Sequence, residues 1–291
     1  MPDFEISYQD IITRTSVRRY ADKKIDVSDL SDLMQLNDCL PGIFSENQYQ
    51  LKIYDYDPQS TVGKAVGGFG RIFNPPYVCL PYITGKEYLL EDLGFRNEQF
   101  VLYLWSHGIG SCYIGCIHRQ EKVRASLDLP VNAVFTSFII FGFPHQNQSL
   151  HLYRKISQLV VQSKERLSFD ELFIDDGWKS LMRNNQNFAK VMEAGRRSPS
   201  AQNIQPWRFA TESNFINIFA KLRRIGRIYD FRQQYAVHDI GICMGNIGAA
   251  VKSLGVDLEW ECIETKRDFS GIDDNLLPIG RLYINGIGLS E

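Results

Sequence analysis

Alternating polar side chains near the start of the chain have the types and spacing of a phosphate site. In the segment ITRTSVRRYADKKID, residues 12–26, Arg14, Ser16 and Arg18 alternate along the chain. Two guanidinium groups and a hydroxyl that converge from one extended turn suit a cluster of anionic oxygens, because arginine binds phosphate through paired hydrogen bonds. The spacing leaves one alternative open, a basic edge that is simply solvated.

A second candidate segment, SPSAQNIQPW at 198–207, carries amide side chains between two prolines. Asn203 and Gln205 each offer two hydrogen-bond donors and an acceptor. Pro199 and Pro206 restrict the backbone around them. Such groups suit the edge of a planar heterocycle with alternating carbonyls and ring nitrogens. The alternative is a loop whose side chains satisfy its own backbone amides.

A glycine-rich segment, GIGSCYIG at 108–115, is the third candidate. Its glycines would let the backbone approach a ligand closely, and Ser111 adds a hydroxyl and an amide. The spacing GxGxxxxG, with a predicted helix before it rather than after it, argues against a dinucleotide-binding fingerprint. A helix end that leads into a buried strand is the main alternative. Redox activity of Cys112 and Cys116 is a weaker one, because their spacing is not that of a CxxC pair.

Several common catalytic patterns are absent from the sequence. It has no GxxxxGK[ST] loop, no HExxH or Cys/His cluster and no GxSxG turn. The residues therefore predict neither a metal site nor a hydrolytic nucleophile. Lys plus Arg total 32 and Asp plus Glu total 34, a balance that argues against nucleic acid as a partner.

The composition is typical of a soluble globular protein. The 291 residues are 44% apolar, which is enough for a well-buried core in one large domain or two smaller ones. Six cysteines without a CxxC pair predict free thiols in a reducing compartment. The polar start MPDFEISYQD does not have the pattern of a signal peptide, and no apolar run has the length of a membrane span. We therefore expect a cytoplasmic protein that does not associate with membranes.

A long helical pattern occurs once in each half of the chain. EDLGFRNEQFVLYLWSHGIG and HDIGICMGNIGAAVKSLGVD superpose at an offset of 147 residues. Asp92 then matches Asp239, and Gly94 matches Gly241. Both segments predict a helix that ends at a glycine, the usual residue for a left-handed C-terminal cap.

Other segments repeat in the same order, which indicates an internal duplication. The paired segments are a helix that stops at a proline (30–41 and 188–199), an amide-rich strand (46–54 and 202–210) and a closing strand (135–143 and 277–286). Chance similarity between amphipathic helices is the alternative. The repeat predicts an α+β fold with two mixed sheets flanked by helices. Its halves, residues 1–160 and 161–291, would pack as a pseudo-twofold pair.

Together, the three candidate segments resemble those of the nitroreductase family of flavin enzymes. RTSVRRY is similar to the family's Arg-x-Ser-x-Arg-x-aromatic opening, and SPSAQNIQPWRF to its Pro-Ser-Ala-x-Asn-x-Gln-Pro-Trp-x-Phe segment. HGIGSCYIG is similar to its Gly-Leu-Gly-Thr-Cys-Trp-Ile-Gly segment. In the family the Pro-Ser segment follows the Arg-Ser-Arg segment closely, whereas here it lies some 180 residues later. This order resembles the tandem, single-chain branch called "putative TM nitroreductase", in which two halves imitate the family's homodimer.

The resemblance implies one FMN bound across the two halves of a pseudo-dimer, for which a monomer suffices. The Arg-Ser-Arg segment would hold the phosphate, and the Pro-Ser segment would hold the ring and the ribityl chain. The glycine-rich segment would lie near the pyrimidine end or N5, and a basic residue after the closing strand would assist. The implied cofactor-binding residues are Arg14, Ser16, Arg18, Gly110, Ser111, Arg154, Pro199, Ser200, Ala201 and Asn203.

The activity implied by the resemblance is a ping-pong reduction. Hydride would pass from NAD(P)H to N5 of the flavin and then to an electron-poor small molecule such as a nitroaromatic or a quinone. The cofactor carries this chemistry, so no catalytic residue is expected in the protein. A non-catalytic flavin-binding or regulatory protein on the same fold is the alternative. A side branch that destroys flavin or removes halogens is another.

Overall fold

The computed structural model describes residues 5–145, 165–212, 215–222, 232–255, 257–262 and 275–285. Arg154 lies outside the described residues, and so does the expected boundary between residues 160 and 161. Both therefore stay predictions. Within the described ranges, no helix is both long and apolar enough to cross a bilayer.

The first half places a four-stranded sheet among short helices and one long helix. Its elements are α1 (Tyr8–Thr13), α2 (Val27–Cys39), β1 (Gln48–Asp55), α3 (Thr61–Val66), α4 (Gly68–Phe73), β2 (Tyr77–Thr84), α5 (Leu89–Ser106), β3 (Gly110–Gly115), α6 (Gln120–Ser126) and β4 (Ser137–Gly142). The predicted helix at 30–41 and the predicted strands at 46–54 and 135–143 are confirmed. The strand β4 is buried along its whole length, as expected for an apolar run with layers packed on both of its faces.

The second half repeats this arrangement with its own four-stranded sheet. Its elements are α7 (Phe169–Leu172), α8 (Gly177–Asn184), α9 (Gln186–Arg196), β5 (Trp207–Glu212), β6 (Phe215–Lys221), α10 (Arg232–Ser253), β7 (Asp257–Cys262) and β8 (Leu276–Asn285). The predicted strand at 202–210 was wrong for its first residues. Ala201–Asn203 form a 3-10 turn, and the strand begins at Trp207.

The two sheets have the same strand order. In the first half the order is β1-β2-β4-β3, and in the second half it is β5-β6-β8-β7. All pairs between these strands are antiparallel. The predicted mixed sheets would also contain parallel strand pairs. Among the described residues, parallel pairing is limited to isolated bridges that join Ser16 to Ser111 and Phe173 to Phe209. The α+β fold and its tandem arrangement, inferred from the internal repeat, are confirmed.

The long helices α5 and α10 cross in close contact at matching glycines. A Cβ atom at Gly94 would overlap the carbonyl oxygen of His238, and a Cβ atom at Gly241 would overlap the carbonyl oxygen of Glu91. The residues in each contact are related by the offset of 147 that superposes the two helices in sequence. Such a reciprocal contact is what a twofold axis produces between identical subunits. The two glycines therefore let the halves approach each other closely.

The glycines after these two helices confirm the predicted caps. Gly108 follows α5 with φ of 72°, and Gly255 follows α10 with φ of 65°. A left-handed residue just past a helix end redirects the chain, and glycine adopts this conformation without strain. In the first half the chain turns directly into β3, which carries the glycine-rich segment.

Candidate functional site

The Arg-Ser-Arg segment and the glycine-rich segment lie side by side. Ser16 forms a parallel bridge with Ser111, and the backbone N–H of Val17 donates to the carbonyl oxygen of Ser111 at 2.8 Å. A Cβ atom at Gly110 would overlap the Val17 side chain. Glycine at this position therefore lets the extended segment pack against β3, which brings two of the predicted site segments together.

Arg14 is a buried cation with an incomplete set of partners. It follows α1 directly and is 8% exposed. Its Nε lies 3.4 Å from Oε1 of Glu98 on α5, whose side chain is fully buried. Among the described residues, neither of these two atoms has a hydrogen-bond partner. Because buried polar atoms are normally hydrogen-bonded, the orphaned Arg14 Nε fits a site that receives an anionic group.

Glu98 links Arg14 to the glycine-rich strand. The Tyr113 hydroxyl on β3 donates to Oε2 of Glu98 at 3.0 Å. Burial raises the pKa of Glu98 to about 7, although Arg14, the Tyr113 hydrogen bond and Arg166 each lower it. Burial thus shifts the titration of this carboxyl group from the acidic range towards neutral pH.

Arg18 lies beside Cys112 and is half-buried. Burial raises the pKa of the Cys112 thiol, although Arg18 and Arg14 lower it. Burial also raises the pKa of the Cys116 thiol to about 12. Both thiols are free and buried. Because the thiolate is the reactive form of cysteine, the structure gives no support to redox chemistry at this pair.

The Pro-Ser segment forms a tight turn that its own side chains hold in place. Gln202, Asn203 and Gln205 each have φ of 53°, a conformation that costs free energy for residues other than glycine. The Ser200 hydroxyl accepts a hydrogen bond from the backbone N–H of Gln205 at 2.9 Å. Pro199 and Ala201, on either side of Ser200, are half-buried. Local hydrogen bonds thus fix the backbone of the turn.

Gln205 supports the turn rather than facing a ligand. It is 1% exposed, and its Oε1 accepts from the backbone N–H of Leu167 at 2.9 Å. Its Nε2 donates to the carbonyl oxygen of Glu165 at 3.2 Å. Gln205 thus binds the backbone of residues 165–167, a partner that neither the ligand interpretation nor the alternative of a self-satisfied loop predicted.

Arg166 contacts the Pro-Ser segment, and no motif in the sequence points to it. Its guanidinium donates to Oδ1 of Asn203 at 3.3 Å and to the carbonyl oxygen of Arg197 at 2.8 Å. It also donates to the carbonyl oxygen of Ser198. Burial and the nearby Arg14 cation lower the pKa of Arg166 to about 10. Asn203 therefore contacts the Arg166 guanidinium directly, and Arg14 is near enough to lower the pKa of that guanidinium.

The repeated aspartates of α5 and α10 perform the same structural task. Asp239 Oδ2 accepts from the backbone N–H of Ala201 at 2.9 Å. Asp92 Oδ1 accepts from the backbone N–H of Ile43 at 2.8 Å. Ile43 follows Pro41 by two residues, as Ala201 follows Pro199. Each aspartate thus fixes the turn after a proline in its own half.

In the first half, the turn that corresponds to the Pro-Ser turn packs against the side chain of Arg96. Its guanidinium donates to the carbonyl oxygens of Leu40 at 2.9 Å and Phe44 at 3.3 Å, and its Nε lies 3.3 Å from Asp92 Oδ1. A Cβ atom at Gly42 would overlap this guanidinium. Gly42 stands where the second half has Ser200, at the offset that matches the two prolines. The Arg96 guanidinium therefore packs directly against the first-half turn, where Gly42 stands in place of Ser200.

Replacement of Arg96 by methionine is expected to lower the free energy of unfolding by about 3 kcal/mol. Asp92 would lose its buried cationic partner and two buried carbonyl oxygens would lose their donor. Urea denaturation followed by circular dichroism measures the change. Arg71→Met, at an exposed arginine, is the matched control. A loss below about 1 kcal/mol for Arg96→Met would show that the guanidinium does not hold this region together.

A family model matches most of the chain. Residues 7–250 match the family described as "Putative TM nitroreductase". The chain belongs to this family. Membership of this nitroreductase family assigns the chain to the oxidoreductases that act on small molecules.

Comparisons with known proteins agree with this assignment. A "Putative NADH dehydrogenase/NAD(P)H nitroreductase" from Archaeoglobus fulgidus is 24% identical over 152 residues, which are 48% of this chain and 87% of that protein. The chain is thus about twice as long as that relative. The crystal structure of a putative nitroreductase from Thermotoga maritima aligns with 98% of this chain and 96% of its own, at 17% identity and a TM-score of 0.57. The nitroreductase-like fold of this chain is therefore confirmed over its length.

Proposed function

We propose that the protein binds one FMN between its two halves and transfers hydride from NAD(P)H to an electron-poor small molecule such as a nitroaromatic or a quinone. The observation that supports this most strongly is that Arg166 donates to Asn203 and has its pKa lowered by Arg14, so that both segments act on one guanidinium. These are the segments that the family resemblance assigns to the phosphate and to the ring. When bound, FMN supplies the atom that accepts and donates hydride.

In this proposal the first half holds the phosphate. Arg14 brings a buried guanidinium with an orphaned Nε, and Ser16 and Arg18 follow on the segment that pairs with β3. Buried charges need partners, and a phosphate would provide them to more than one guanidinium at once. Ser111 and Gly110 would border the ligand through the backbone of β3. Arg154 is proposed as a further cation from the resemblance alone.

The second half would supply a rigid surface for the ring. Internal contacts already use two of the groups expected to face the ligand, since Ser200 Oγ accepts from Gln205 and the Ala201 N–H donates to Asp239. Their part is therefore to fix the turn that carries Pro199 and Asn203. A ring held against a fixed backbone loses little free energy to reorganisation when it binds.

Arg96 leads us to propose that the complex contains a single flavin. Its guanidinium packs against the first-half turn that corresponds to the Pro-Ser turn, and a side chain at Gly42 would overlap it. Since each chain would bring both halves of the site, a monomer would suffice as a pseudo-dimer. Titration of the protein with FMN, followed by flavin fluorescence, is expected to saturate at one FMN per chain. Saturation at two would contradict the assignment of a structural role to Arg96.

An anaerobic reduction experiment tests the activity itself. The yellow colour of the FMN complex is expected to bleach on addition of NADH or NADPH and to return on addition of a quinone or a nitroaromatic compound. FMN bound without bleaching by either nucleotide would favour the non-catalytic flavin-binding alternative. A protein that does not bind FMN would contradict the proposal as a whole.

A further inference from the structure

Glu98 occupies a position where charged groups from both halves meet. The side chain comes from the middle of α5 and is fully buried. Arg14 faces it from the segment after α1, and Tyr113 faces it from β3. Arg166 from the segment before α7 and Asp239 from α10 also act on its charge. In its anionic form, Glu98 therefore balances the positive charge of the arginines that a bound anion would also contact.

The contact between Glu98 and Arg14 is an ion pair without a hydrogen bond. The two atoms are 3.4 Å apart, yet both are unsatisfied within the part of the chain that the structure describes. An optimal pair of this kind is shorter and often bidentate. The Arg14 guanidinium is therefore neutralised in charge but retains hydrogen-bonding capacity for a further anion.

We propose that Glu98 is the internal counter-ion of Arg14 and takes up a proton when a phosphate-bearing flavin binds there. The proposal rests on FMN binding at Arg14, as set out above. In the ligand-free protein, anionic Glu98 balances the buried guanidinium. When a phosphate balances Arg14 instead, the Glu98 carboxylate is a buried negative charge beside a second anion. Protonation of the carboxylate removes that unfavourable charge. Glu98 is thus a positioning residue that acts on the phosphate through Arg14 and couples phosphate binding to proton uptake.

The sign of the effect follows from electrostatics. A phosphate carries between 1.5 and 2 negative charges near neutral pH, and a nearby negative charge raises the pKa of a carboxyl group. The pKa of Glu98 is about 7 before binding, so a further rise converts the anionic fraction to the neutral acid at neutral pH. Proton uptake on binding requires that affinity fall as pH rises through this range.

Of the other titratable groups around Glu98, Tyr113 and Arg166 cannot take up the proton, whereas Asp239 must be told apart from Glu98 by experiment. Burial and the adjacent Glu98 raise the pKa of Tyr113 well above its usual value, so the phenol is already protonated. The pKa of Arg166 is lowered to about 10, which leaves the group cationic at neutral pH. Burial also raises the pKa of Asp239, next to His238. Asp239 is therefore the alternative acceptor that a variant at Glu98 must separate.

Isothermal titration calorimetry of the full chain with FMN and with riboflavin tests the proposal. Titrations at about pH 7.5 in buffers of different ionisation enthalpy report the protons taken up per ligand bound. Free FMN is almost entirely dianionic at this pH because the second phosphate pKa is about 6. We expect uptake of roughly 0.5 to 0.8 proton for FMN and almost none for riboflavin. The Kd for FMN should weaken by about tenfold between pH 7 and pH 8.5.

Glu98→Gln is the decisive variant because it keeps the shape of the side chain and cannot titrate. It should bind FMN with uptake below about 0.1 proton and with a Kd nearly independent of pH. Uptake that persists in Glu98→Gln would assign the proton to a group other than Glu98, such as Asp239, and overturn the proposal. Binding of FMN to the unaltered chain without proton uptake would also overturn it, while leaving the proposed flavin site intact. Should the variant not fold, Asp239→Asn takes its place in the same titration, and loss of the uptake there would assign the proton to Asp239 and overturn the proposal. No binding of FMN would overturn both proposals.

Discussion

Arg14→Ala is expected to weaken FMN binding by at least about a hundredfold, which corresponds to about 3 kcal/mol. The guanidinium is 8% exposed, so its interaction with a phosphate is poorly screened by water. Removal of one partner from a buried charge pair costs 2–5 kcal/mol or more in well-studied interfaces. Flavin fluorescence quenching gives the Kd of the variant. The Kd of riboflavin, which lacks the phosphate, should differ far less between the variant and the unaltered chain.

The matched control for Arg14→Ala is Arg183→Ala. Arg183 is exposed on α8, so its removal changes the net charge equally without touching the site. We expect its effect on the Kd to stay within about twofold. Because Arg14→Ala also leaves Glu98 without its cation, circular dichroism must show that the variant is folded. A folded variant that binds FMN as tightly as the unaltered chain would refute the phosphate site.

Gly94→Ala and Gly241→Ala are each expected to destabilise the protein by about 3 kcal/mol or more. The added methyl group would overlap a carbonyl oxygen of the facing helix, that of His238 or of Glu91. A backbone atom cannot rotate away as a side chain can, so α5 and α10 must move apart. Overpacking at well-packed positions typically costs 1–3 kcal/mol and occasionally more. Urea denaturation, followed by circular dichroism, measures both variants.

Gly68→Ala serves as the control for these glycine variants. Gly68 begins α4, and a Cβ atom there would meet no atom within 4 Å. We expect a change within about 1 kcal/mol, because alanine is the better helix former. Because the contact is reciprocal, we further expect Gly94→Ala and Gly241→Ala to lower the free energy of unfolding by similar amounts. If either central variant were as stable as the unaltered chain, the close crossing of α5 and α10 would be contradicted.

The repeat-based part of the fold could be predicted because it depends on local signals. Glycines after α5 and α10, prolines after α2 and α9, and apolar strands of similar length occur in the same order in both halves. The turn at Ala201–Asn203 was missed. Its left-handed residues include Gln202 and Gln205, and glutamine has no particular preference for that conformation. Hydrogen bonds that the backbone N–H groups of Ala201 and Gln205 donate to Asp239 and Ser200 impose it instead.

The charged centre of the site could not be predicted because long-range packing creates it. The run Arg96–Gln99 is polar and lies in the middle of α5, a pattern that usually indicates a solvent-facing side. All four of its residues are buried, since both halves pack around this helix. Arg166 lies in a polar segment near the seam, where a solvated charge is the ordinary expectation. Its partners Ser198 and Asn203 are more than thirty residues away.

A crystal structure of the FMN complex tests the central claim most directly. We expect one flavin per chain, with its phosphate within hydrogen-bonding distance of Arg14 and its ring against the turn from Pro199 to Asn203. Glu98 should remain buried between them, near Arg14. A flavin that contacts one half alone, or a second flavin in place of the Arg96 guanidinium, would contradict the account of a single site shared by the two halves.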